Sequence, residues 1–326
     1  MNINKRVYIV FFFFVIQIVC GGVIAEAFFL HAQENKSSYS LKPLATIENI
    51  SINFTSNNYT LYGEIYYPSN ATGTYPGIVC CEGFAGYVSA YNWIPKALAE
   101  HGYIAFIFDQ PGQGFSEGDS PIKTHYLPFF NLLIRPTLFT ETPIHFSKGE
   151  WITAAHDAIT YLIEQSPVKQ FVNTTCIGLI GHSLGGLTVT EVAANDTRID
   201  AVVALSKGDP LIVPKISAPI QFQGGDFDYS THSVGILLSC YPKANTPKEL
   251  VFIEHGTHIG FTTAVEMFCP CPQWQKEICL RYAIGWFDYF LKHDIDAYEI
   301  ITTNTDHLSK WIPSRYNFEG EDYVIK

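Results

Sequence analysis

The 326-residue sequence contains no internal repeat and no low-complexity run, which excludes solenoids, propellers and repetitive spacers. Positive charge is in short supply. Lys and Arg number 20 against 31 Asp and Glu, for a formal net charge of −11, and this balance argues against a nucleic-acid partner. Cysteine is sparse as well: 8 residues are too few to build a fold of this length on disulfides. The 11 His include no His-x-x-x-His pair, and Cys269-Pro270-Cys271 lacks the second Cys pair of a zinc site, so no metal site is read. Gly112-Gln113-Gly114 is not followed by Gly-Lys-Ser/Thr and is no phosphate loop. No cofactor is expected. What the chain does have is a hydrophobic content of 47%, enough for one large core, or two modest ones, with an extra apolar segment.

That extra segment is N-terminal. Lys5-Arg6 precede an uncharged stretch over residues 7–25, close to the ~20 residues of a spanning helix and longer than most signal-peptide cores. Residues 1–27 therefore read as a signal peptide or an N-terminal membrane anchor, with Ala25-Glu26-Ala27 as a possible cleavage site. Basic residues ahead of the apolar run send the rest of the chain outward, so the expected location is extracellular, secreted or tethered to the outer face of the membrane. Polar residues 28–44 read as a tether. Seven N-x-S/T sequons, at Asn35, Asn49, Asn53, Asn58, Asn70, Asn173 and Asn195, suit a glycosylated surface.

The main domain is read over 45–299, with 300–326 as a C-terminal tail. Alternating residues over 47–55 and 59–67 have the period of half-buried strands, whereas 76–81 is a short apolar run of the kind buried on both faces of a parallel sheet. A helix over 91–101 and a strand over 103–108 follow. Residues 119–148 then break the rhythm with four prolines and an apolar group that includes Leu132, Leu133 and Phe139. This insertion is read as an irregular excursion packed on the core, as a lid whose apolar residues line a substrate pocket, or as a membrane-surface contact. A helix over 150–165, strands over 200–205, 219–223 and 249–254, and a closing helix over 275–291 complete the pattern. Alternating strands and helices predict an α/β fold with a mostly parallel twisted sheet of about eight strands, helices on both faces and the small insertion after the fourth strand.

The chain is organised around Gly181-His182-Ser183-Leu184-Gly185. An apolar strand leads into it and a helical stretch follows, so Ser183 stands at the apex of a tight strand–helix turn. A serine hydroxyl is a weak nucleophile, and it needs an imidazole to take its proton and a carboxylate to orient that imidazole. This motif in this context resembles the α/β-hydrolase superfamily. The resemblance implies the order Ser, acid, His. Two acids follow the strand over 219–223, Asp226 and Asp228; the superfamily spacing Gly-x-x-Asp, counted from Gly225, favours Asp228. Gly-x-His after the last strand points to His258, with His255 read as structural. An oxyanion hole is implied from the backbone N–H groups of Leu184 and Phe84, the latter in the turn after 76–81.

Within the superfamily, the block 92–103 and the triad spacing are similar to cutinase-like polyester hydrolases. So is the C-terminal group Cys240, Cys269, Cys271 and Cys279, which in an exported protein allows two disulfides in three pairings. Phe84 matches the aromatic at their oxyanion turn, while Ser206-Lys207-Gly208-Asp209 stands where they carry a Trp. Glu82 before the oxyanion glycine resembles dienelactone hydrolases, whose nucleophile is Cys rather than Ser. The resulting expectation is an exported serine carboxylesterase acting on a small-molecule or lipid-like ester through an acyl-enzyme. Phe84, Leu132, Leu133 and Phe139 are expected to bind substrate. Alternatives are a polyester hydrolase, a peptidase or amidase, a thioesterase, and a catalytically silent binding protein.

Overall fold

Backbone pairing explains the sheet from its hairpin inward. The computed structural model describes residues 43–118, 148–228, 232–263, 273–310 and 316–319. Residues 1–42, the body of the insertion with Leu132, Leu133 and Phe139, and Cys269 and Cys271 lie outside the described residues. Strands β1 (Ile47–Ser56) and β2 (Tyr59–Pro68) form an antiparallel ladder in which Ile52, Phe54 and Ser56 face inward and Ser51, Asn53 and Thr55 outward. Asn57 and Asn58 join them with φ of 48° and 65°, the double left-handed turn that matches strand twist.

Seven further strands follow: β3 (Tyr75–Cys81), β4 (Ile104–Phe108), β5 (Val172–His182), β6 (Ile199–Leu205), β7 (Ile220–Gly225), β8 (Lys248–Ile253) and β9 (Tyr316–Glu319). Their spatial order is β1-β2-β4-β3-β5-β6-β7-β8-β9. The run from β4 to β8 is parallel, flanked by antiparallel pairs. Order reverses at β3, since β4 lies on one side of it and β5 on the other. Loops leaving the carboxyl ends of β3 and β5 therefore diverge and open a crevice, the usual seat of a site in such sheets.

Two hydrophobic cores line the sheet. One receives helices α2 (Lys148–Thr160), α3 (Leu184–Asn195) and α4 (Ser233–Cys240) through Ala154, Ala158, Val189, Val192 and Leu237. The other receives α1 (Trp93–Glu100) and α5 (Gln273–Leu291) through Ile94, Leu98, Ile278, Tyr282 and Trp286. Residues read as one helix over 150–165 form α2 followed by a single π turn, Tyr161–Gln165.

The α/β architecture expected from the sequence is the one observed, with nine strands instead of about eight. The added strand comes from the stretch read as a tail. A short helix α6 (Ala297–Thr302) buries Ala297 and Ile301, Leu308 bridges to Ile253, and β9 pairs with β8. A four-residue strand at a sheet edge is held by backbone hydrogen bonds, and it needs no apolar run that a sequence reading would detect. The disulfide expectation also needs correction. Cys240 and Cys279 are buried free thiols in different cores, so they are not paired with each other.

Candidate active site

Ser183 follows β5 directly with φ 55° and ψ −113°, a conformation rarely adopted by L-residues and held only where packing enforces it. Enforcement is visible. Its N–H donates to Leu205 O at 2.9 Å, and α3 starts at the next residue. A Cβ on Gly185 would lie 2.2 Å from Cys81 O and 2.5 Å from Glu82 O, and one on Gly181 would lie 2.3 Å from Gly185 O. Nothing but glycine fits where three backbones converge. Gly185→Ala should therefore cost several kcal/mol, at or above the ~1–3 kcal/mol usual for overpacking, and chemical denaturation would show the lowered midpoint.

The turns after β7 and β8 bring two more side chains to Ser183. His258 Nε2 is 2.9 Å from Ser183 Oγ, and His258 Nδ1 is 2.8 Å from Asp228 Oδ2. With Nδ1 donating to the carboxylate, Nε2 is left as an acceptor for the serine proton. His258 opens a short 3-10 turn, His258–Phe261, capped by Thr257 Oγ1, which accepts from Gly260 N–H at 3.2 Å. Gln275 of α5 brackets that cap: its Oε1 accepts from Thr257 N–H at 3.0 Å and its Nε2 donates to Thr257 O at 2.8 Å.

Asp228 is 1% exposed. Burial by itself would raise its pKa, but the hydrogen bond and charge of His258, with the hydroxyls of Ser233 and Ser206, hold the carboxyl below the usual carboxylate range. Asp228 is thus an anion at neutral pH. Its contribution to stability is present above the unfolded carboxylate value near ~3.9 and is lost as pH falls through the lower folded one.

Asp226, two residues earlier, does something else. Its Oδ1 accepts the N–H of His255 at 2.7 Å and its own N–H donates to Ile253 O at 3.0 Å, so it ties together the exits of β7 and β8. Burial raises its pKa against the bonds from Ser309 and His255. His255, at φ 55°, sets its ring tilted against that of Phe227 with centroids 4.8 Å apart, and stands outside the Ser183–His258–Asp228 line.

Sequence reasoning assigned no role to His182, Tyr91 or Gln275. The His182 ring lies 4.7 Å from the His258 ring and 5.3 Å from Phe261, and Tyr91 Oη is 2.9 Å from its Nδ1. Burial, then the charge of His258, push the His182 pKa well below the ordinary imidazole value, so it is a neutral ring beside the His258 imidazole. His182 sits inside the motif beside Ser183 and was visible there; Tyr91 and Gln275 carry no local signal.

Beside the elbow, β3 runs into the turn Gly83-Phe84-Ala85-Gly86, closed by Gly86 N–H donating to Gly83 O at 2.9 Å, with Ala85 at φ 60°. Phe84 is half-buried there. Leu184 is the first residue of α3, one of the positions whose N–H has no partner within the helix. On the far side of the elbow Ser206 bends at φ 62° and presents half-buried Lys207, whose pKa burial lowers against the pull of Asp228. Among the described residues no cluster of His, Cys, Asp and Glu is disposed to hold a metal, and no helix is long and apolar enough to cross a membrane.

A hydroxyl, an imidazole and a buried carboxylate in hydrogen-bonded line can activate the hydroxyl for attack on a carbonyl carbon. Comparison with known proteins agrees with this chemistry at the level of family. A family model described as alpha/beta hydrolase fold matches residues 76–247. The chain is 24% identical over 236 residues to a bis(hydroxyethyl) terephthalate hydrolase of Streptomyces coelicolor, covering 71% of this chain and 63% of that relative. It is 19% identical over 265 residues to lipase 1 of a Moraxella species (79% and 69% covered) and 20% identical over 242 residues to cutinase 1 of Thermobifida cellulosilytica (71% and 74%). With more than half of its length matched by the family model, around a strand–turn–helix elbow bearing Ser183, the chain belongs to the alpha/beta hydrolase fold family.

Proposed function

We propose that the protein is an exported serine carboxylesterase. The observation that carries this reading is the line Ser183 Oγ–His258 Nε2, His258 Nδ1–Asp228 Oδ2, at 2.9 and 2.8 Å. Ser183 attacks the ester carbonyl as His258 takes its proton. The backbone N–H groups of Phe84 and Leu184 receive the oxyanion. His258 returns the proton to the departing alcohol, and water, activated by the same imidazole, releases the acid from the acyl-enzyme. Relatives named as a terephthalate-ester hydrolase, a lipase and a cutinase support an ester as substrate. We take that substrate to be a small or lipid-like ester. Polyester hydrolysis is the second reading, favoured by half-buried Phe84 beside the elbow; the stretch Ser206-Lys207-Gly208-Asp209, with no Trp for an aromatic clamp, weighs against it.

Export is supported by the N-terminal residues 1–27 and by the sequons. Asn49, Asn53, Asn58, Asn70 and Asn195 are exposed, and Asn173 is half-buried. The test is a panel of p-nitrophenyl esters and p-nitroanilides with a fluorophosphonate label. Ester turnover with Ser183 labelled and anilides left intact is the expected result. Faster anilide cleavage would make the protein an amidase, and absence of labelling would make it a non-catalytic member of the family.

A further inference from the structure

Two buried acids outside the triad join the loops that flank the elbow. Glu82 closes β3 and precedes the oxyanion turn, while Asp109 closes β4 and starts the loop 109–118; both are 0% exposed. Each carboxyl reaches across to the other loop's backbone. Asp109 Oδ1 accepts the N–H of Val88, just beyond the oxyanion turn, at 2.6 Å. Glu82 Oε1 accepts the N–H of Gln110 at 2.9 Å. Asp109 also gathers its own loop, accepting from Phe115 N–H at 2.8 Å through Oδ2, while its carbonyl accepts from Ser116 Oγ at 2.6 Å. Gly114, at φ 47°, wraps so closely that a Cβ would lie 2.1 Å from Asp109 Oδ2.

We propose that Glu82 and Asp109 form a reciprocal latch that fixes the oxyanion turn against the loop after β4, which makes both positioning residues for ester hydrolysis. The inference rests on the esterase reading above. Phe84 lies between the two attachment points, Glu82 and Val88, so its N–H is held at both ends of a seven-residue span whose middle is bent by Ala85 at φ 60°. An oxyanion donor works only if placed before the charge develops, and a shift of about 1 Å costs on the order of 10²-fold in rate.

Charge state fits the latch. Burial, then the Asp109 charge, push the Glu82 carboxyl well above the usual carboxylate range, against the pull of the Gln110 N–H. The other titratable groups packed on Glu82 are Tyr91 and Cys81, whose pKa values are both raised, first by burial and then by Glu82, and His182 under Gly83, which is neutral. Glu82 Oε2 is buried with no hydrogen-bond partner among the described residues. A neutral Gln in its place therefore forfeits no bond and keeps the acceptor that Gln110 N–H uses.

The experiment compares Glu82→Leu, Glu82→Gln and Asp109→Asn in p-nitrophenyl acetate hydrolysis, with thermal melting of each variant. Glu82→Leu should lower kcat by about 10²-fold with KM within about threefold, because ground-state binding does not need the oxyanion donor. Glu82→Gln should rescue kcat to within about threefold of the parent, which a purely volumetric role for Glu82 would not require. Asp109→Asn, which retains one of two acceptor oxygens, should lower kcat about tenfold with KM unchanged. If Glu82→Leu does not fold, Asp109→Asn decides: full kcat overturns the latch. Equal losses in Glu82→Leu and Glu82→Gln also overturn it, as does a loss confined to KM. A parent enzyme that neither hydrolyses p-nitrophenyl acetate nor takes a fluorophosphonate would sink the esterase reading itself, an outcome separate from any ranking of the variants.

Discussion

Ser183→Ala should reduce ester turnover by about 10⁶-fold while leaving thermal melting close to that of the parent. The substitution removes one oxygen from a half-buried position and leaves intact the packing that enforces the elbow. Residual rate should be of the size that oxyanion donors and binding supply without a nucleophile, some 10³–10⁴-fold over water. The measurement is steady-state hydrolysis of p-nitrophenyl acetate, with preparations checked for contaminating esterase by phosphonate titration. Retention of a tenth of the activity would move the nucleophile away from Ser183.

The second large effect separates two aspartates that are neighbours in sequence. Asp228→Asn should lower kcat by about 10⁴-fold, since the amide no longer fixes the tautomer or balances the charge of His258 when it holds a proton. Asp226→Asn should leave kcat within about tenfold and act mainly on stability, because Asp226 binds the His255 N–H and not the imidazole of His258. Urea denaturation and kcat on the same two variants distinguish the outcomes. A larger kcat loss in Asp226→Asn would hand the orienting role to that residue.

Legibility of this sequence followed burial. The apolar runs that became β3, β4 and the inner part of β5 could be read because both of their faces are covered, so no polar residue interrupts them. Ser183 could be read because three backbones meeting at an elbow leave only glycine on either side. The choice between Asp226 and Asp228 was open for a physical reason. Both leave the same strand within one turn, both are 1% exposed, and which loop each carboxyl meets depends on how β8 exits. The strand β9 and the reciprocal hydrogen bonds of Glu82 and Asp109 were out of reach, because both are made with backbone groups, which every residue carries.

The bracket that Gln275 forms around Thr257 has a consequence for biosynthesis. Ser183, Asp228 and His258 all leave the ribosome before Gln275 does, yet the loop that aims His258 is held from α5. A nascent chain therefore carries Ser183, Asp228 and His258 before it has the Gln275 side chain that brackets the loop of His258. On the esterase reading, the final alignment of His258 is expected to wait for the docking of α5.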